Sequence, residues 1–214
     1  MLFLTFFYFF IFYSFLGWLI ESTFVSINTK RFINRGFLDG PFCPIYGFGS
    51  LAIILFVFPF KYHLLSFFLI SILIATIIEY FTSWFFEKFL KISWWNYSNK
   101  PLNINGRICL ENSIYWGIIA VLVLTFIHPS IINLSIFLSN YLGFYGVIIF
   151  LIYFIIDATD SFTSIIQFNK NLSQKIYNIQ LNNKINRLIK TFPNFKSKIN
   201  NNFINELKIN HHHS

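Results

Sequence analysis

Apolar residues crowd into five stretches of the chain, roughly 2–27, 44–60, 64–87, 109–127 and 141–163, and the segments between them collect most of the charge. A hydrocarbon layer about 30 Å thick is spanned by about 20 apolar residues in a helix. The pattern therefore predicts an all-α integral membrane protein with about five transmembrane helices. The second run is short and ends at Pro59, which predicts a tilted helix or one partly wrapped in protein. "SIINLSIFLS", 130–139, is too short to span and reads as an interfacial segment. The first run has neither a basic leader nor a small-residue cleavage site, so it is expected to be retained as a helix rather than removed as a signal peptide.

Composition points the same way: 56% of residues are hydrophobic, 11% are charged, and 31 of the 214 are Phe. Charge then orients the spans. Lys30, Arg31 and Arg35 lie between the first two; Lys88, Lys91, Lys100 and Arg107 lie between the third and fourth; Lys170, Lys175, Lys184, Arg187, Lys190, Lys196, Lys198 and Lys208 follow the fifth. Of the 16 basic residues only Lys61 is left for the opposite face. Positive residues gather on the cytoplasmic side, so the N-terminus is expected outside and the C-terminus in the cytoplasm. The chain divides into a transmembrane domain, 1–163, and a basic cytoplasmic tail, 164–214. In the tail, "KIYNIQLNNKINRLIK" (175–190) has the spacing of an amphipathic helix. Topology accounts for the net charge of +8 without a nucleic-acid partner, with anionic lipid along the tail as the next reading. The terminal "HHHS" is assigned no metal.

The acids fall in a narrow zone. Glu21 closes the first helix, Glu79 and Glu87 occupy the inner part of the third, Glu111 opens the fourth, and Asp157 and Asp160 sit in the inner part of the fifth. A carboxylate at the bilayer centre costs about 2.5–3.5 kcal/mol even on lenient insertion scales, so such groups are expected to face one another, a cation or water. Glu79, Ser83 and Glu87 share one helical stripe, as do Asp157, Asp160, Ser161 and Ser164. Ser14, Gly17 and Glu21 give the first helix a small, polar side suited to close contact in lipid. These placements suggest a polar vestibule of Glu21, Arg35, Glu79, Glu87, Arg107, Glu111 and Asp157, with Arg35 and Arg107 as the cations that neutralise Glu79. The plainer reading is that these charges anchor helix ends.

Two loops carry unusual composition. In the first, Gly40, Pro41, Cys43, Pro44 and Tyr46 demand sharp turns and close backbone approach. The second sets Trp95 and Tyr97 beside Asn105 and Gly106, and its tryptophans are expected to form an interfacial aromatic belt. Cys43 and Cys109, the only cysteines, are expected to stay reduced at the cytoplasmic side, and two ligands make no metal site.

"GWLIE" (17–21), "NRGFLDGPFCPIYGFG" (34–49), "EYFTSWFFEKF" (79–89), "WWNYS" (94–98), "NINGRICLENSIYWG" (103–117) and "HP" (128–129) occur in an order that resembles the bacterial family of CmpB-like permeases, the ABC-transporter type IV family. The resemblance covers about residues 1–160 and excludes the tail. It implies a multi-pass protein of the bacterial cytoplasmic membrane with a role in transport. Asn96 departs from the family pattern, which carries Asp there and so one more acid near the vestibule.

Three classes of function fit. The first is a permease or transporter subunit whose vestibule takes a polar or cationic solute. The chain has no G-x-x-x-x-G-K-[ST] phosphate loop, so ATP drive requires a separate ATPase subunit. Five helices make a thin wall, which favours a homodimer or a partner permease, and ion coupling through Glu79 and Asp157 is the other source of drive. The second class is a membrane enzyme acting on a lipid or lipid-linked substrate, with carboxylates and Arg in acid–base or phosphate-holding roles. Neither H-E-x-x-H nor G-x-S-x-G occurs to support it. The third is an accessory or scaffolding protein. No cofactor is expected.

Overall fold

A computed structural model describes residues 2–60, 62–90 and 93–173. Its helices are α1 (Leu2–Thr29), α2 (Pro44–Phe56), α3 (Leu64–Phe85), α4 (Leu110–Leu122), α5 (His128–Tyr141) and α6 (Gly143–Ser173). A 3-10 turn at Phe58–Phe60 follows α2, and one turn of π-helix follows each of α3 (Phe86–Leu90) and α4 (Val123–Ile127). The strand content described is one small antiparallel hairpin, β1 (Asn103–Ile104) with β2 (Ile108–Cys109).

Four helical runs are long and apolar enough to cross a membrane: Leu2–Thr29, Leu64–Leu90, Leu110–Tyr141 and Gly143–Gln167. The chain is an all-α integral membrane protein. Large apolar side chains point outward along these runs, among them Leu65, Phe81, Phe126 and Ile149. In lipid this is the expected arrangement, because helices there gain little by hiding Leu or Phe and associate through small residues instead. Nine serines are buried among the described residues, Ser14, Ser71, Ser135 and Ser161 to completeness. At the centre Phe9, Tyr13, Ile53, Val57, Phe67, Leu124 and Ile131 form the apolar core.

The fourth span differs from the sequence expectation. It was expected to end near residue 127, with 130–139 lying in the interface, but helix continues without a break from Leu110 to Tyr141. Pro129 sits at the join. Its ring clashes with the carbonyl four residues back and has no N–H to give. The chain answers by widening one turn, so that the N–H of His128 bonds the carbonyl of Val123, five residues back. Past the widened turn α5 is held against α1, where the Tyr13 hydroxyl meets His128 Nδ1 at 2.9 Å and the Phe9 ring stands edge-on to the imidazole. The full run is about 48 Å long, more than the roughly 30 Å that a bilayer core requires. Gly143, at φ +53, then turns the chain into α6, which continues to Ser173. The amphipathic segment expected at 175–190 lies outside the described residues.

The second apolar run holds only a short helix, and that helix starts late. After α1 the chain does not remain at the helix end but climbs back beside it. Ile33 N–H donates to Ser26 Oγ (2.9 Å), Arg35 N–H to Ser22 Oγ (3.0 Å), and Cys43 N–H to the Ser14 carbonyl (2.9 Å). From Ser26 to Ser14 along α1 is about 18 Å. α6 gives the same ruler from the other side: Phe37 meets Phe162 and Phe42 meets Phe150. Only then does α2 begin, with Pro44 in its first turn, where a missing N–H costs nothing. It runs antiparallel to α1 for 13 residues, with Tyr46 against Gly17 and Gly47 against Ser14 and Phe10. Non-helical backbone at such depth is tolerated where protein surrounds it, and α1 and α6 do so here.

Candidate functional site

The climbing loop is fastened to α6 by one carboxylate. Asp157 Oδ1 accepts the N–H of Asp39 and Oδ2 accepts the N–H of Gly40, both at 2.9 Å. A Cβ on Gly40 would run into the Tyr153 hydroxyl, so glycine there lets the backbone reach the acid. Asn34 braces the loop from within: its Oδ1 accepts from Trp18 Nε1 (2.8 Å) and Gly36 N (2.9 Å), and its Nδ2 donates to the Asp39 carbonyl (2.8 Å). Asp157 thus receives two backbone N–H groups of the loop, with the Tyr153 hydroxyl beside it.

The second loop folds around its hairpin. Asn105 and Gly106 both have positive φ (54° and 67°), as a tight type I′ hairpin turn requires, and Arg107 N–H closes the turn on the Ile104 carbonyl at 3.0 Å. This turn aims Arg107 back at α3. Its Nε and Nη2 both donate to Glu87 Oε2 (2.9 and 2.7 Å), and Nη1 donates to the Tyr80 hydroxyl (2.9 Å). The Glu87 contact holds the guanidinium pKa above its ordinary value. Trp95 Nε1 donates to the Arg107 carbonyl (2.8 Å), and Trp94 is buried edge-on to Phe37 and Phe86. Trp94 therefore joins the two loops, while Trp95 ties the second loop to itself. Asn96 Oδ1 accepts the N–H of Ser98 at 2.9 Å, a local turn bond that Asp would make equally well.

Between the loops lies the most buried acid. Glu79, 6% exposed, accepts a hydrogen bond from the Tyr97 hydroxyl at 3.1 Å through Oε1. Oε2 is buried with no hydrogen-bond partner among the described residues. Burial and the neighbouring carboxylate push the Tyr97 phenol above its ordinary pKa, so it remains a donor. Trp116 stands beside Glu79, its ring edge-on to Tyr46 at 5.6 Å, and Tyr46 in turn donates to Glu21 Oε1 at 2.5 Å. Glu21 Oε2 lies 3.6 Å from Arg35 Nε. The centre is therefore two acids and three aromatic residues, Glu21, Tyr46, Trp116, Glu79 and Tyr97.

The pairing expected for Glu79 is not what the structure brings together. Arg35 pairs with Glu21 and Arg107 with Glu87. Glu111 pairs with Lys100 at 2.9 Å on the exposed rim, which raises the Lys100 pKa. Arg107 and Glu111 were both expected in the vestibule, but they take separate partners, and because α4 starts only at Leu110, Arg107 belongs to the hairpin. Cys43 and Cys109 are both buried and form no disulfide. No group of three or more His, Cys, Asp or Glu suited to a metal occurs among the described residues. Sequence reasoning passed over Tyr80, Trp116, Tyr153 and Asn34. Only Asn34 left a signal, being a turn-forming Asn two residues before a glycine.

A family model described as putative ABC-transporter type IV matches residues 8–162. Comparison with curated proteins and with solved structures finds no match to this chain.

Proposed function

Since the chain belongs to the putative ABC-transporter type IV family, matched over residues 8–162, we propose that it is a permease subunit of the bacterial cytoplasmic membrane. In this reading the path for a polar or cationic solute runs through the cluster around Glu79. The observation that carries it is that acid: almost fully buried, ringed by aromatic side chains, bonded on one oxygen, and without a cation within salt-bridge distance among the described residues. Arg35 and Arg107, the cations expected to neutralise it, are committed to Glu21 and Glu87. An acid kept in that state is a standing cost to folding, which a visiting positive charge offsets.

The sequence contains no phosphate loop, so the energy source is a separate ATPase subunit that docks on the loop face, with two copies of the chain completing the path wall. Mild-detergent purification of the tagged protein from a bacterial host tests this directly. An ATP-binding subunit is expected to copurify, and Glu79→Gln is expected to leave that complex intact while abolishing ATP-dependent solute uptake in reconstituted vesicles. Recovery of the chain without any ATPase, or unchanged uptake by Glu79→Gln, would overturn the proposal.

A further inference from the structure

The basic residues of the described loops divide into two kinds. Arg35, Lys100 and Arg107 each pair with a carboxylate, and Lys88 lies over the Trp84 ring at 4.7 Å. Lys30 and Arg31 are exposed and have no carboxylate partner among the described residues. They stand where α1 ends. Lys30 adopts the left-handed conformation (φ 54°) that closes a helix, and Arg31 N–H returns to the Ser26 carbonyl at 3.3 Å.

Below these two cations a groove of about 400 Å³ opens along the outside of α1. Lys30, Arg31 and Phe32 form its mouth with Ile27 one turn below, Ser22, Thr23 and Ser26 line its middle, and Trp18 and Leu19 form its apolar end. From Trp18 to Lys30 is about 18 Å along the helix, close to half the roughly 30 Å thickness of a hydrocarbon core. One end of the groove thus presents two uncommitted positive charges at the depth of headgroups, and the other presents apolar wall at the depth of acyl chains.

We infer that this groove is a binding site for one anionic phospholipid, its phosphate held by Lys30 and Arg31 and one acyl chain laid against Trp18 and Leu19. Charge complementarity selects the occupant: a zwitterionic lipid brings its own cation to the same place, and a soluble phosphate gains nothing from the apolar wall. The inference requires only that the chain sits in a bilayer and is independent of the transport reading.

Thermal unfolding of the full-length protein in neutral detergent, with added phosphatidylglycerol, phosphatidylcholine or glycerol phosphate, tests it. Phosphatidylglycerol is expected to raise the unfolding midpoint well beyond the other two. The Lys30→Gln/Arg31→Gln variant is expected to lose more than half of that difference, and Lys88→Gln to keep it. Thr23, exposed on the groove wall, offers a neutral test: Thr23→Trp fills the groove without changing charge and is expected to lose the effect as the double variant does. A full phosphatidylglycerol effect in the double variant, or in Thr23→Trp, would overturn the site. An equal effect of glycerol phosphate would show a surface anion contact and overturn the lipid assignment. Should a variant fail to fold, native mass spectrometry of the unaltered protein decides: one tightly retained anionic lipid per chain is expected, and none retained refutes it.

Discussion

Glu79 and Glu87 lie two turns apart on the same stripe of the third span, yet they meet different neighbours. Glu87 receives two guanidinium N–H groups of Arg107, whereas Glu79 has the Tyr97 phenol and the Trp116 indole beside it, neutral donors both, and an Oε2 with no hydrogen bond of good geometry among the described residues. Removing the charge from each should therefore have opposite consequences. Glu87→Gln or Arg107→Gln should cost roughly 1–2 kcal/mol, the range for a partly exposed, charge-assisted bond. Glu79→Gln keeps the acceptor for Tyr97 and relieves the burial of charge, so its unfolding midpoint should be unchanged or higher. In double variants Glu87 and Arg107 should couple, and Glu79 with either Arg35 or Arg107 should be additive within about 0.5 kcal/mol. Strong coupling of Glu79 to Arg107 in unfolding measurements would refute the pairing described here. The sequence made the acids legible because charge in an apolar run stands out. Their partners were not legible, because a carboxylate's neighbour depends on where a loop folds, and Arg107 is turned away from Glu111 by a hairpin only four residues long in strand.

At the scale of elements, the apolar runs were readable because hydropathy reports directly on lipid contact, and each of the five contains a helix. Two features escaped that reading. The segment 130–139 looked too short to span because hydropathy does not reveal that a π turn absorbs the bond Pro129 loses and lets the fourth run continue into it. The glycines and prolines of 36–44 announced turning, but nothing local says that the loop climbs; the contact that holds it up comes from Asp157, in another helix. The climb has a measurable signature. Cys43, 9% exposed, and Cys109, 1% exposed, should both resist maleimide in the native protein and react on denaturation. Asp157→Ala removes the acceptor of two backbone N–H groups and should expose Cys43, raising its labelling rate at least about tenfold, which corresponds to about 1.4 kcal/mol of lost local stability. Fast labelling of Cys43 in the unaltered protein would place the loop in water instead.

For the molecule as a whole, α1 and α6 run in the same direction, as the contacts of Tyr8 with Gly143, Phe7 with Phe150 and Phe10 with Phe154 require. With positive residues gathered at the far end, a Cys at His63 should be labelled from outside intact cells, and Cys at Lys30 or Asn99 only after permeabilisation. Labelling of Lys30→Cys in intact cells would invert the orientation. The Asp157 clasp also sets a timetable. Gly40 leaves the ribosome 117 residues before the acid that receives its N–H, a wait of roughly 6–24 s at ordinary rates of synthesis of about 5–20 residues per second. Throughout that interval the climbing loop has α1 to lean on but no α6, so its upper backbone has to be sheltered by the insertion machinery or by water. The loop before α2 thus cannot reach its final fastening until α6 is in place, although it is among the first parts to be made.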